Sequence, residues 1–147
     1  MFTKDTRSKK TISWKSGESM NIKDLVPLHK SDIERVSLLK QQPTENLKVI
    51  LPELLEWLQD GNWPIAKDIE DIVLGFGIEL IPHIKRIFNS NDGCWKYFVL
   101  HGLVNRLPKD ILLELREDLE RMLNNPSRDE KDEELDDILQ ELLERIA

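Results

Sequence analysis

The sequence predicts an all-α fold, a short α-solenoid of about seven helices in stacked antiparallel pairs. Apolar residues recur at spacings of three and four along most of the chain, which is the period of a helix with one buried face. The turns between these segments are only two to five residues long, which favours antiparallel neighbours. A unit of about thirty residues is also repeated, and such units bury their apolar faces by stacking.

The first 22 residues differ from the rest of the chain. They are rich in Ser, Thr and Lys and carry no apolar periodicity. Segments of this composition cannot bury enough apolar surface to fold. We therefore expect a disordered leader over residues 1–22, dispensable for stability, and a helical-repeat domain over residues 23–147.

The helices follow in order. Ser31 and Glu34 predict a capping box that opens a helix to about Gln41. The next helix has an apolar stripe from Leu47 to Leu58, and Pro52 within it means either a kink or a restart with Pro52 in the first turn. Gly61 is expected to end this helix in the left-handed conformation, with Asn62 capping the following one. Further helical patterns cover 65–76, 78–89, 93–106, 109–124 and 129–146.

Two copies of the repeat are clear. Residues 51–63 (LPELLEWLQDGNW) align with residues 81–95 (IPHIKRIFNSNDGCW), and residues 119–131 form a fainter third copy. Each clear copy ends in a polar corner that holds a tryptophan. Stacked helix pairs of this length indicate a HEAT-like α-solenoid, in which equivalent corners line up along one edge.

These corners supply the candidate site. Two interpretations stay open: the polar residues are helix caps and solvated side chains with tryptophans wedged between helix pairs, or the set binds a partner or ligand. The candidate binding residues are those at the corners together with the group before the first helix: His29, Lys30, Asp32, Trp57, Asp60, Asn62, Trp63, Asp92, Trp95 and Lys96.

Motifs for catalysis are missing from the sequence. The three histidines are scattered without zinc-ligand spacing, and neither a phosphate-binding glycine loop nor a nucleophile elbow is present. Cys94 and His101 face the same way on one predicted helix, but a buried thiol beside a hydrogen-bonded histidine explains them better than a metal site. We expect no enzyme activity, no catalytic residues, no metal and no cofactor.

Charge restricts the class of partner. The net charge is -7, and residues 108–147 hold six basic and fourteen acidic residues. Seven of the nine residues 129–137 are acidic, and we expect them to project outward from an apolar seam. A negative surface argues against nucleic acid and favours a basic protein partner. No apolar run is long enough to span a bilayer, and a single cysteine fits a reducing compartment, so we expect a cytoplasmic protein without a membrane partner.

Three segments carry a family resemblance. PLHKSD (27–32), LLEWLQDGNWP (54–64) and DGCWKY (92–97) resemble an uncharacterised bacterial domain family of HEAT-like helical proteins, with WLQDGNWP and WKY the most specific parts. The resemblance runs from about Asp24 to the C-terminus. It implies a stacked-helix fold in a cytosolic bacterial protein and transfers no activity, substrate or catalytic residue. The expected function is a protein-interaction module, with an immunity-type protein as one form; the alternative is a small-ligand binder or enzyme at the corners.

Overall fold

The structure, a computed structural model, describes residues 11–14 and 18–147. These residues form an all-α fold with a small N-terminal β-hairpin. Apart from the 3₁₀ turn Ile22–Leu25, the helical segments of the described residues join into eight continuous stretches, in agreement with the expected number of about seven. The α-helices are α1 Ile33–Lys40, α2 Thr44–Leu47, α3 Leu51–Glu56, α4 Ala66–Leu74, α5 Ile81–Phe88, α6 Gly93–Phe98, α7 Lys109–Leu112, α8 Arg116–Asn124, α9 Arg128–Asp132 and α10 Asp136–Arg145.

Several of these helices are connected by 3₁₀ turns, which are tighter than an α-helix, and one connection includes a π-helical turn, which is wider. A π-helical turn, Val99–Leu103, follows α6 directly. Such turns are rare and often occur at functional sites. The remaining connections are the 3₁₀ turns Ile22–Leu25, Lys48–Ile50, Gly77–Leu80, Val104–Arg106 and Leu113–Leu115.

The sequence repeat corresponds to a repeat of local structure. The helices α3, α5 and α8 each follow a 3₁₀ turn without a break. Pro52 and Pro82 occupy equivalent positions in the first turns of α3 and α5. A first turn tolerates proline because its N–H groups have no partner within the helix. The helix therefore restarts at Pro52, which settles the choice between a kink and a restart.

Among residues 21–147, for which burial is described, the core is almost entirely Leu, Ile and Val. Its buried side chains begin at Ile22 and end at Ile146. Helices near in sequence pack against each other, α3 on α4, α5 on α6 and α8 on α10. The predicted apolar stripe of α3 is confirmed, since Leu51, Leu54 and Leu55 are all buried.

The C-terminal segment differs from its prediction. A single helix over residues 129–146 was expected, but the chain divides into α9 and α10, and Glu134 between them has a φ of 52°. A residue other than glycine pays a steric cost in this left-handed conformation. The break lets the two pieces pack in different places, α9 on α6 and α10 on α8.

Part of the predicted leader lies within the described residues. Residues Thr11–Trp14 and Glu18–Asn21 form two antiparallel strands, β1 and β2, with Thr11 opposite Asn21. Ile22, the last residue of the predicted leader, is fully buried. The remaining leader residues, 1–10 and 15–17, lie outside the described part of the chain.

Candidate functional site

The first corner, between α3 and α4, pairs two tryptophans. The rings of Trp57 and Trp63 meet edge to face, with centroids 5.4 Å apart, and both are half-buried against the core. Asp60 builds the turn between them, because its Oδ1 accepts the backbone N–H of Asn62 at 2.8 Å and its carbonyl accepts that of Trp63. Asp60 therefore acts as a turn residue, as one of the two open interpretations expected.

Gly61 and Asn62 do not play the roles predicted from sequence. Among the glycines of the described residues, the one with a left-handed φ is Gly77. Helix α4 begins at Ala66 without a side-chain cap, so Asn62 is not its N-cap. Gly61 is needed for space: a Cβ there would lie 2.6 Å from the ring of Phe98. Asn62 is exposed.

The second corner touches the first. Asp92 caps α6 by accepting the N–H of Trp95 at 3.0 Å. The indole N–H of Trp95 donates to the carbonyl of Leu55 at 3.2 Å, as expected for a tryptophan wedged between helix pairs. The Cys94 thiol lies 3.7 Å from the carbonyl of Gln59. The two equivalent corners are thus neighbours.

The group before α1 is partly structural. Asp32, rather than Ser31, is the N-cap of α1, and its carboxylate accepts the N–H groups of Arg35 and Leu28 and pairs with the Arg35 guanidinium at 3.3 Å. Although burial alone would raise its pKa, these partners lower it. Lys30 is exposed, and its carbonyl accepts the N–H of Ile65 at the first corner.

His29 is exposed beside them. Its Nδ1 accepts the backbone N–H of Ser31 at 3.3 Å. Together with Lys30 it lies on a local turn next to the first corner.

Lys96 is buried, which contradicts the expectation of a solvated lysine. Its side chain is 2% exposed, and its Nζ lies 2.7 Å from Glu130 Oε2 and 2.8 Å from Asp129 Oδ2. Arg121 holds both oxygens of Glu130 at 2.7 Å, and the backbone N–H of Ser127 donates to Oε1. We call these residues the buried ion cluster.

The cluster controls the charge state of Glu130. Burial alone would raise the pKa of Glu130, but hydrogen bonds from Arg121, Lys96 and the Ser127 backbone, with the charge of Lys96, lower it to about 2. The carboxylate is therefore ionised at neutral pH although its side chain is 1% exposed. Asp129 and Glu130 point inward, which corrects the prediction that all seven acids of residues 129–137 project outward.

Three open pockets lie around the corners. The first, which we call the Trp–Glu pocket, has a volume of about 280 Å³. Glu53 and Glu56 enter it from α3, one turn apart and on the same side as Trp57. Sequence reasoning missed both glutamates, although their spacing to Trp57 on the polar side of the leucine stripe was a usable signal. Its lining is Val26, Pro27, Glu53, Glu56, Trp57, Gln59 and Trp63.

The second pocket lies between α3 and α5, has a volume of about 160 Å³ and is mainly apolar. Trp95 and Ile87 contribute to its wall together with Pro52 and Arg86. His83 also lines it; its buried Nδ1 has no hydrogen-bond partner in the structure, and desolvation and the charge of Arg86 lower its pKa. Glu56 borders this pocket as well as the Trp–Glu pocket, so α3 separates two adjoining depressions.

The third pocket, of about 240 Å³, is bounded by α4 and the π-helical turn. The Glu70 carboxylate is nearly buried in its wall, with Oε1 2.7 Å from Arg106. Gly102 leaves room for it, because a Cβ there would lie 2.0 Å from Glu70 Oε2. Of the candidate residues, Asn62 lines this pocket, Trp57 and Trp63 line the Trp–Glu pocket, and Trp95 lines the second pocket.

Cys94 lies on the surface between the corners. It is exposed, which contradicts the expected buried thiol. Partial desolvation raises its pKa, and the negative charges of Glu133, Asp92 and Asp60 raise it further. The residues described hold no group of three or more side chains arranged to bind a metal ion.

Within residues 11–14 and 18–147, no helix is long and apolar enough to cross a membrane.

Comparisons with known proteins add one finding. No curated protein matches the sequence. A family model described as "Domain of unknown function (DUF5071)" matches residues 25–143, which is most of the chain. The chain therefore belongs to the DUF5071 family.

Proposed function

We propose that this protein is a protein-interaction module that binds a positively charged protein partner. The observation that carries the proposal is that Asp60, Asp92 and Glu133 lie around Cys94. The Cys94 thiol is 3.7 Å from the carbonyl of Gln59, next to Asp60, and Asp92 caps the helix that holds Cys94. Glu133 packs against the neighbouring Gly93. These three acids come from three separate corners of the chain. We call them, with Cys94, the acidic corner face.

The electrostatics support a basic partner. The acidic corner face carries three formal negative charges, and none of its acids forms an ion pair in the described part of the chain. Glu134, Asp136 and Asp137 add three exposed acids beyond Glu133. Such a field speeds the encounter with a basic patch and has a smaller effect on dissociation. It also repels nucleic acid.

The fold and setting that suit this role are part of the proposal. Stacked helix pairs of the HEAT-like kind offer long surfaces to proteins, by analogy of fold alone. The repeated turn-and-helix units of α3, α5 and α8 support this arrangement. A cytoplasmic bacterial protein is the setting we propose, and an immunity-type protein that covers a cationic toxin is one form of the function.

The chain's one cysteine allows a direct test. A photoactivatable cross-linker on Cys94 would capture the protein that lies over the acidic corner face in a native lysate. The captured protein would then be purified, and its association rate measured against salt concentration. We expect a basic protein whose association slows as salt rises while dissociation changes little.

The matched variants keep local hydrogen bonds. Asp60→Asn, Asp92→Asn and Glu133→Gln together remove three charges but retain the side-chain oxygens that build the turn and the cap. The control neutralises three exposed, unpaired acids elsewhere: Glu34→Gln, Glu114→Gln and Glu117→Gln. Association should slow markedly only in the first set. Equal slowing in both sets, a salt-independent rate, or capture of nucleic acid would overturn the proposal.

A second candidate function is supported by the pocket at the π-helical turn. There a nearly buried carboxylate, Glu70, lies in a wall that also holds His101 and Lys67. Pockets with a few converging polar groups are the usual sites for small ligands. A small-ligand binder or enzyme would show as a metabolite that raises the melting temperature of the wild type and not of Glu70→Gln.

A further inference from the structure

The Trp–Glu pocket combines two features that together favour a cation. Glu53 and Glu56 bring two carboxylates, and neither forms an ion pair within the described residues. Trp57 and Trp63 bring two half-buried indoles. No Lys, Arg or His lines the pocket, so its negative charge is uncompensated there.

One carboxylate oxygen of Glu53 lacks a hydrogen-bond donor. Glu53 Oε1 is buried from water and has no hydrogen-bond partner in the structure. A buried oxygen without a donor is costly, and nearly all such atoms in proteins find a partner. Rotation of the Glu53 side chain toward the pocket that it lines would let a bound donor meet this oxygen, and a charged donor would bind it best.

The indoles add a second, independent attraction. The face of an indole is the best aromatic surface for a cation, because its π-electron cloud is negative. The edge-to-face packing of Trp57 on Trp63 fixes both rings, so little side-chain entropy remains to be lost when a ligand binds. A planar guanidinium suits this combination better than an ammonium, since it stacks on an aromatic ring and donates in parallel to a carboxylate.

We propose that the Trp–Glu pocket is the binding site for an arginine side chain of the protein partner. This inference rests on the proposed function, which supplies the basic partner, and adds the place where one of its side chains is anchored. The acidic corner face then attracts the partner, and the Trp–Glu pocket holds it. Interface hot spots are enriched in tryptophan and arginine and lie in well-packed pockets.

The test uses the full chain and a small probe. N-acetyl-arginine amide carries a guanidinium and no other charge, and N-acetyl-citrulline amide has nearly the same shape without the charge. Binding is followed by NMR through the indole N–H signals of the chain's four tryptophans, each assigned with a Trp→Phe variant. We expect the arginine probe to shift the signals of Trp57 and Trp63, and the citrulline probe to leave them in place.

Variants then connect the shift to the carboxylates. Glu53→Gln with Glu56→Gln should weaken the arginine probe about tenfold or more, because charge-assisted hydrogen bonds become neutral ones. Glu34→Gln with Glu117→Gln changes net charge equally at exposed sites and should leave affinity within about twofold. Thermal melting of both double variants checks that they are folded.

Several results would overturn the inference. Equal shifts by the arginine and citrulline probes, a response at Trp95 alone, or an unchanged affinity in Glu53→Gln with Glu56→Gln would each do so. Tighter binding of tetramethylammonium than of the arginine probe would assign the pocket to a small quaternary ammonium ligand instead.

The outcomes also separate this inference from the proposed function. If a basic partner binds the acidic corner face and the Glu53→Gln, Glu56→Gln variant binds it unchanged, the pocket assignment fails and the proposed function stands. If the arginine probe binds but no basic protein is captured at Cys94, the proposed function fails while the pocket retains its preference for guanidinium.

Discussion

The ammonium of Lys96 lies 2.7 Å from a carboxylate oxygen of Glu130, and both side chains are at most 2% exposed. The two residues are 34 positions apart and join α6 to α9. Arg121 from α8 shares the carboxylate. Three helices are therefore held together by one buried ion cluster.

Lys96→Met should destabilise the protein by about 3–5 kcal/mol, because it leaves the buried charge of Glu130 without one of its partners. The free energy of unfolding in urea measures the effect. Lys85→Met is the control: Lys85 also pairs with an acid at 2.8 Å, Asp118, but its side chain is 41% exposed. Its loss should cost less than about 1 kcal/mol. Similar costs for both variants would show that burial of the Lys96 pair has no energetic consequence.

Stability should fall in acid through Glu130. The pKa of Glu130 is about 2 in the folded protein against an ordinary value of 4.5, so the unfolded chain binds the proton more tightly. The contribution is present above about pH 5 and is lost as pH falls toward 2, amounting to about 2–4 kcal/mol. Urea unfolding at pH 7, 5, 4 and 3 measures it.

Two measurements test whether Glu130 causes the loss of stability in acid. Glu130→Gln should flatten the acid slope, whereas Glu120→Gln, at an exposed position, should leave it unchanged. If Glu130→Gln does not fold, NMR titration of the side-chain carboxyl carbon of Glu130 in the wild type gives its pKa directly. A midpoint near 4.5 would contradict the role of the cluster.

Gly93→Ala should separate α9 from α6. A Cβ at Gly93 would lie 2.3 Å from the backbone carbonyl oxygen of Asp129, and a backbone atom cannot move aside as a side chain can. We expect a loss of about 1–3 kcal/mol in unfolding free energy, measured by thermal or urea melting. Gly75→Ala is the control, since its nearest atoms would be 3.4 Å away, and it should change stability by less than about 1 kcal/mol. An unchanged Gly93→Ala would mean that the two helices are not in close contact.

Local patterns in the sequence predicted the helices well because helical periodicity and proline chemistry act over a few residues. The leucine stripe of α3 and the first-turn position of Pro52 belong to this class. At the start of α1, Asp32 took the N-cap position predicted for Ser31. A carboxylate at Asp32 also reaches Arg35, an interaction that a serine hydroxyl cannot make with charge.

Contacts between distant residues could not be predicted in this way. Lys96 and Glu130 had the appearance of surface charges because their partners lie on other helices. The break at Glu134 gave no signal either, since the left-handed conformation falls on a residue that rarely adopts it. The two corners do lie next to each other. Glu53 and Glu56, which complete the Trp–Glu pocket, were missed because their place in it depends on the way α3 faces the corner.

The burial of Ile22 and Ile146 has a practical consequence for protein production. The family match begins at residue 25 and ends at residue 143. Ile22 and Ile146 lie outside it, yet both side chains are at most 2% exposed. Arg145, also beyond the match, donates to the carbonyl groups of Asn105 and Leu107. A recombinant fragment cut at the family limits would lose two core side chains and this clamp, so expression clones should extend from before Ile22 to Ala147.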